Sequence, residues 1–217
     1  MAPWTYAPPT GPLVVLHEDR DIVAIDKPAG LLSVPGRGPL LGDCAQSRVA
    51  ARFGVVYPAH RLDMDTSGIL LFARRRKAEA ALFAQFRERQ TDKRYLARVW
   101  GHPADTGGEI DAALSLEAGA PRSRLDPAGK PARTLWSRLA CDADGTALLA
   151  LWPQTGRSHQ LRLHLLHLGH PILGDRLYAP PAVVAAAPRL LLHAAELAFS
   201  HPYSGAPVRI FSEAPFR

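Results

Sequence analysis

The sequence has 217 residues, of which 47% are hydrophobic and 21% are charged, a composition that excludes wholesale disorder and allows one sizeable core. No apolar run reaches about 18 residues, which argues against a transmembrane helix. The net charge of +6 and the pI of about 9.7 favour an acidic partner such as a nucleic acid.

The N-terminus and the cysteines bear on where the protein works. Residues 1–12 read as a Pro-rich tail without the basic start and apolar stretch of a signal peptide. Cys44 and Cys141 lie far apart and outside any CxxC pattern, so we expect free thiols in a reducing compartment. These features predict a cytoplasmic protein.

In chain order, the first half alternates short apolar segments with turn residues and two amphipathic stretches. Gly54 is expected to end the first helix, and the aromatics Phe83 and Phe86 of the second are expected in the core. The predicted elements are strands at 13–16 and 22–25, a helix at 44–53, a buried strand at 69–73, a helix at 77–88 and a strand at 95–100.

The second half predicts a hairpin of strands 134–140 and 147–152, a helix at 158–168, and strands at 191–200 and 208–211. Many strands in hairpins, few helices and no regular alternation of strands with helices indicate an α+β fold. Its sheet is expected to be mixed but mainly antiparallel, with a few flanking helices. Because no internal repeat or composition shift divides the chain, we expect a single domain over residues 13–217.

The positive charge is concentrated in two clusters. Residues 74–98 contain nine basic and three acidic groups, a difference of +6 that equals the net charge of the whole chain. The second cluster consists of Arg122, Arg124, Lys130 and Arg133. Such runs are most often solvated faces, but both clusters flank the candidate site segments described below. The residues predicted to bind RNA are Arg74, Arg75, Arg76, Arg122, Arg124 and Lys130.

The most informative segment is His60-Arg61-Leu62-Asp63-Met64-Asp65-Thr66-Ser67, which runs into the apolar residues 68–73. It places a carboxylate close to a guanidinium on a polar turn that opens directly into a buried strand. A carboxylate at the edge of a core can act as a nucleophile or as a general base. An Asp after such a turn is most often a cap or turn residue, so the segment alone leaves both roles open for Asp63.

Four segments, at residues 26–31, 60–73, 93–101 and 155–175, occur in the order found in the RluA-type pseudouridine synthases, which the chain resembles over most of its length. The resemblance implies the pseudouridine synthase fold with its active site in a central cleft, and we expect no separate N-terminal S4 domain. It further implies an isomerase that acts on structured RNA, 23S rRNA and/or tRNA. We expect no metal or other cofactor, because the isomerisation is redox-neutral and consumes nothing. We also expect a monomer.

The resemblance also implies roles for individual residues. Asp63 would be catalytic, and Arg162 would keep its carboxylate ionised. Tyr95 would pack against the target base after the base is flipped out of the RNA, with Leu161 as an apolar wall of the pocket. Arg61 would fill the gap that the flipped nucleotide leaves.

Three other interpretations compete. A metal site could use histidines that crowd one predicted helix: His159, His164, His167 and His170. Asp63-Met64-Asp65 resembles the DxD motif of glycosyltransferases, although no phosphate-binding Gly-rich loop accompanies it. The third alternative is an RNA-binding or ribosome-assembly protein that has the fold without the catalysis.

Overall fold

The computed structural model describes residues 5–120 and 122–216, which contain twelve strands and four α-helices. The strands are β1 (Val14–Glu18), β2 (Ile22–Lys27), β3 (Tyr57–Pro58), β4 (Ser67–Ala73), β5 (Asp92–Trp100), β6 (Gly107–Asp111), β7 (Leu114–Leu116), β8 (Ser123–Leu125), β9 (Arg133–Cys141), β10 (Thr146–Pro153), β11 (Leu192–Ser200) and β12 (Pro207–Phe211). The helices are α1 (Ala45–Phe53), α2 (Arg76–Arg87), α3 (Gln160–His167) and α4 (Pro181–Ala185), with a 3-10 turn at Pro39–Leu41. Within these described ranges, no helix has the length and apolar character that a membrane crossing requires.

The described residues fall into two compact units. The first contains the chain up to Asp92 together with Glu196–Glu213, and the second contains Lys93–Ala195 with residues 214–216. Strands dominate both units and pair mostly antiparallel, so the predicted α+β fold with few helices is confirmed. A single catalytic domain over residues 13–217 and a central cleft stay predictions.

In the first unit, β2 pairs antiparallel with β1 on one side and with β4 on the other. β3 also pairs with β4, and β12 pairs with the Glu196–Ser200 part of β11. All seven residues of β4 are buried, as expected for a strand that is apolar on both faces. The core of this unit draws on its strands and α2: Ile22, Ala24, Ile69, Leu71, Ala78, Leu82, Leu197, Phe199 and Ile210.

Local capping sets the bounds of α1. The backbone N–H of Cys44 donates to the Ser47 hydroxyl, the Ser47 N–H donates to the Cys44 sulfur, and the pair forms a capping box. Gly54 ends the helix at a φ of 76°, as predicted. On α2 the prediction for Phe83 is wrong: its side chain is 59% exposed, because Leu82 instead occupies the buried stripe with Ala78.

In the second unit, β5 pairs with β10, β10 with β9, and β9 with β6, all antiparallel. β7 and β8 form a separate hairpin. The predicted turn between β9 and β10 is present, and Gly145 allows it with a φ of 81°. From α3, Leu161 and Leu165 pack into an apolar cluster with Ala97 and Leu149 of the sheet.

Several element bounds differ from prediction. β5 begins at Asp92 rather than at Tyr95, since the three polar residues 92–94 also belong to the strand. α3 begins at Gln160, since His159 takes a left-handed conformation with a φ of 55°. Strands β3, β6, β7 and β8 and helix α4 were not predicted.

Candidate active site

Asp63 lies in the first unit, on the tight turn that precedes β4. Its carbonyl accepts a hydrogen bond from the Thr66 N–H at 3.2 Å, and its side chain is half-buried. Thr66 is buried, whereas Arg61 on the approach to the turn is exposed. The chain therefore presents a carboxylate from a fixed backbone at the edge of a buried strand.

A buried ammonium supports this turn from the preceding segment. Lys27, fully buried at the end of β2, donates to the carbonyls of Pro28, Leu31 and Met64 at 2.9, 2.8 and 2.9 Å. The Gly30 N–H donates to the same Met64 carbonyl at 2.9 Å. Because Met64 directly follows Asp63, these bonds fix the backbone that carries the carboxylate. Lys27 thus holds the turn.

Two further contacts fix the approach to the turn. The Ser33 hydroxyl donates to the Leu62 carbonyl at 2.7 Å and accepts the Leu62 N–H at 3.0 Å. The Nε2 of His60 accepts the Leu71 N–H at 3.2 Å, and its ring stacks on Phe86 with centroids 4.8 Å apart. The segment at residues 60–67 is therefore tied to α2 and to the loop after β2. Ser33 and His60 are positioning residues that were not predicted from the sequence.

Tyr95 and Leu161 lie in the second unit. Tyr95 is on β5, in register with Leu151 of β10, and is half-buried. It packs against the apolar cluster that contains Leu151 and Leu161, and the Leu161 side chain is 7% exposed. The structure therefore brings these two predicted site residues to the same apolar cluster.

Arg162 is 3% exposed and binds the buried carboxylate of Asp175 in bidentate geometry. Its Nε donates to Asp175 Oδ2 at 2.9 Å and its Nη2 to Oδ1 at 2.5 Å. The pairing of Arg162 with Asp175 was not predicted from the sequence. A signal was available: a buried guanidinium requires a carboxylate, and Asp175 is the only acidic residue in the fourth segment.

The sequence model of the RNA pseudouridylate synthase family matches residues 21–167, more than half of the chain. The chain belongs to this family. It is 52% identical over 205 residues to the dual-specificity RNA pseudouridine synthase RluA of Pasteurella multocida, covering 93% of this chain and 94% of that protein. It is 46% identical over 214 residues to the Escherichia coli K12 protein of the same name, covering 97% and 98%.

Solved structures agree with the family. Human RNA pseudouridylate synthase domain containing 1 superposes with a TM-score of 0.80 at 28% identity, over all of this chain and 88% of that one. Human RNA pseudouridylate synthase domain containing 4 gives a TM-score of 0.73 at 25% identity, over 94% and 89%. The predicted resemblance is confirmed: the chain is a pseudouridine synthase, an isomerase of uridine in RNA. The glycosyltransferase interpretation of Asp63-Met64-Asp65 is wrong.

The histidines around α3 of this synthase make hydrogen bonds. His164 is buried, with Nδ1 at 2.9 Å from the Thr134 hydroxyl and Nε2 at 3.0 Å from the Ala112 carbonyl, and burial lowers the pKa of its ring. His170 bonds the Trp100 carbonyl through Nδ1 at 2.9 Å. These contacts give His164 and His170 a structural role in the second unit.

The basic residues predicted to bind RNA have varied surroundings in the synthase. Four of them pair with nearby carboxylates: Arg74 with Glu18, Arg75 with Asp21, Arg76 with Glu79 and Arg124 with Asp126. The Arg122 guanidinium lies 5.3 Å from the centre of the Tyr178 ring, and Lys130 is exposed. Their contact with RNA stays a prediction.

Proposed function

We propose that this synthase converts specific uridines in structured RNA, 23S rRNA and/or tRNA, to pseudouridine, with Asp63 as the catalytic residue. The main support for this role is the rigidity of the Asp63 turn. The buried Lys27 ammonium holds its backbone by a hydrogen bond to the Met64 carbonyl. A catalytic group must keep a fixed position relative to the reacting atoms, and a rigid support provides this. The bacterial relatives are named dual-specificity RNA pseudouridine synthases, which supports more than one RNA substrate.

The chemistry needs a carboxylate and no added atoms. The C1′–N1 bond of uridine breaks, the uracil turns, and a new bond forms between C1′ and C5, while C5 loses its proton to a base or to solvent and N1 gains a proton. Because substrate and product are isomers, no oxidant, reductant or co-substrate is consumed. Asp63 acts as nucleophile or as general base at the junction of sugar and base.

The remaining predicted site residues belong to the same proposal. Tyr95 packs against the flipped base, and Leu161 forms an apolar wall beside it. Arg162 keeps the Asp63 carboxylate ionised, and Arg61, which is exposed, fills the gap left in the RNA. We further propose that the protein acts as a cytoplasmic monomer without a cofactor.

The test uses purified protein and unmodified rRNA and tRNA transcripts, with pseudouridine mapped after reaction. The variant is Asp63→Asn, which keeps the size of the side chain and removes its charge. The matched control is Asp65→Asn, since Asp65 is a half-buried carboxylate on the same turn. RNA binding and thermal unfolding are measured for all three proteins.

We expect wild type and Asp65→Asn to form pseudouridine at the same positions. Asp63→Asn should bind the RNA and melt as the wild type does, yet lose at least about 1,000-fold in single-turnover rate, as expected when a covalent or general-base catalyst is removed. Asp63→Asn activity equal to that of the wild type would contradict the catalytic role.

A further inference from the structure

Tyr178 lies at the centre of a polar network in the second unit, and neither the sequence motifs nor the proposed mechanism uses it. Its ring has two guanidiniums against it, those of Arg162 at 5.2 Å and Arg122 at 5.3 Å from the ring centre. Both distances lie within the range of cation–π attraction. One of the two arginines belongs to the candidate active site, and the other directly precedes β8.

The Tyr178 hydroxyl makes two further contacts. It accepts the backbone N–H of Ser123, the first residue of β8, at 2.9 Å, and it lies 2.5 Å from the Nδ1 of His159 at the start of α3. Burial raises the pKa of the Tyr178 hydroxyl, so the phenol keeps its proton and can donate to His159. The hydroxyl therefore joins the β7–β8 hairpin to the helix that carries Arg162.

The segment that contains Tyr178 also holds the partner of Arg162. Asp175 Oδ1 accepts the backbone N–H of Leu177 at 3.0 Å and that of Tyr178 at 3.3 Å, in addition to its bidentate bond with Arg162. The carboxylate and the ring thus approach the same guanidinium from one short stretch of backbone. A shift of this stretch moves both supports of Arg162 together.

We propose that Tyr178 is a positioning residue that couples the β7–β8 hairpin to Arg162. Its ring orients the Arg162 guanidinium, and its hydroxyl anchors the hairpin next to Arg122, where the basic side chains meet the RNA. The proposal rests on the proposed function, because it assigns Arg162 to the active site and Arg122 to RNA contact. It predicts that the ring and the hydroxyl affect different kinetic constants.

The experiment measures single-turnover pseudouridine formation over a range of enzyme concentrations, on the transcript that the wild type modifies best. Tyr178→Phe keeps the ring and removes the hydroxyl, whereas Tyr178→Leu removes both. Tyr203→Phe is the matched control, since Tyr203 is 75% exposed in the first unit. Thermal unfolding is recorded for every variant.

For Tyr178→Phe we expect a half-saturating concentration raised about five- to tenfold, the effect of one or two lost hydrogen bonds, with the rate at saturation within about twofold of wild type. Tyr178→Leu should also lower the rate at saturation about tenfold or more. If thermal unfolding shows that Tyr178→Leu does not fold, the kinetic constants of Tyr178→Phe alone decide the test. Tyr203→Phe should match the wild type.

A double-mutant cycle tests the coupling between the Tyr178 hydroxyl and Arg122. Because the hydroxyl acts on the hairpin that carries Arg122, combining Tyr178→Phe with Arg122→Ala should raise the half-saturating concentration little beyond the larger single effect. Additive effects, or a Tyr178→Phe protein equal to wild type in both constants, would overturn the proposal. In that case inactivity of Asp63→Asn would still support the proposed function, so the two failures are distinguishable.

Discussion

At the residue scale, Lys27 explains why the Asp63 turn is rigid. The fully buried ammonium donates to three backbone carbonyls, including that of Met64. Lys27→Met keeps the length of the side chain but leaves these buried acceptors unsatisfied, so the free energy of unfolding should fall by about 3–5 kcal/mol. Urea titration measures this loss, and single-turnover assays should show a slower reaction because the turn loosens.

A surface lysine gives the control for this prediction. Lys77→Met removes an exposed ammonium in the same unit and should change the free energy of unfolding by less than about 0.5 kcal/mol. A Lys27→Met protein as stable as the Lys77→Met protein would show that the buried bonds do not support the turn.

Residue positions were predictable where the chain itself carries the signal. The charged turn at Asp63 lies directly before an apolar strand, so its place at the edge of the core could be predicted from neighbouring residues. The pairing of Arg162 with Asp175 and the contact of Tyr178 with Ser123 were not predicted. Those pairs are 13 and 55 residues apart, so tertiary packing decides them.

At the element scale, prediction succeeded where local signals set both ends. The capping box and Gly54 bound α1, and the Gly145 turn fixes the β9–β10 hairpin. β6 begins with two glycines, which have low strand propensity, and it forms only because β9 offers a paired edge. Such strands depend on a partner distant in sequence, so the local sequence pattern does not predict them.

The segment that carries Asp175 and Tyr178 depends on Gly174. Its φ is +73°, and a Cβ at this position would lie 1.9 Å from the Arg189 carbonyl oxygen. Gly174→Ala should therefore cost left-handed strain plus an overpacking penalty, about 2–5 kcal/mol in total. We expect lower thermal stability and a slower reaction, because both supports of Arg162 shift.

Gly169 provides the matched control for Gly174. It has a φ of +86°, but nothing lies within 4 Å of a Cβ placed there. Gly169→Ala should cost only the backbone strain, about 1–2 kcal/mol, and should leave the reaction rate of the folded protein unchanged. If both variants unfold at the same denaturant concentration, close packing at Gly174 is not what the position requires.

At the scale of the whole molecule, whose net charge is +6, the basic residues that contact phosphates should set the salt dependence of RNA affinity. Each phosphate contact adds about 0.7–0.9 to the slope of log affinity against log salt concentration. Replacing Arg124 and Lys130 by alanine should therefore reduce the slope by about 1.4–1.8, twice the single-contact value, if both touch phosphates. Binding titrations of one transcript at several salt concentrations measure the slope.

The control for the salt dependence lies outside both basic clusters. Arg209 is an exposed arginine on β12 that pairs with Glu196 at 2.7 Å. Arg209→Ala should leave the slope unchanged, whereas an equal reduction in both variants would mean that overall charge, and not the predicted cluster, binds the RNA.

The most direct test of the central claim, that this chain forms pseudouridine through Asp63, is pseudouridine mapping of cellular RNA. Cells lacking the gene are complemented with wild type or with Asp63→Asn at equal protein levels. The account predicts that defined uridines lose modification on deletion, regain it with the wild type and stay unmodified with Asp63→Asn. Restored modification with Asp63→Asn would contradict it.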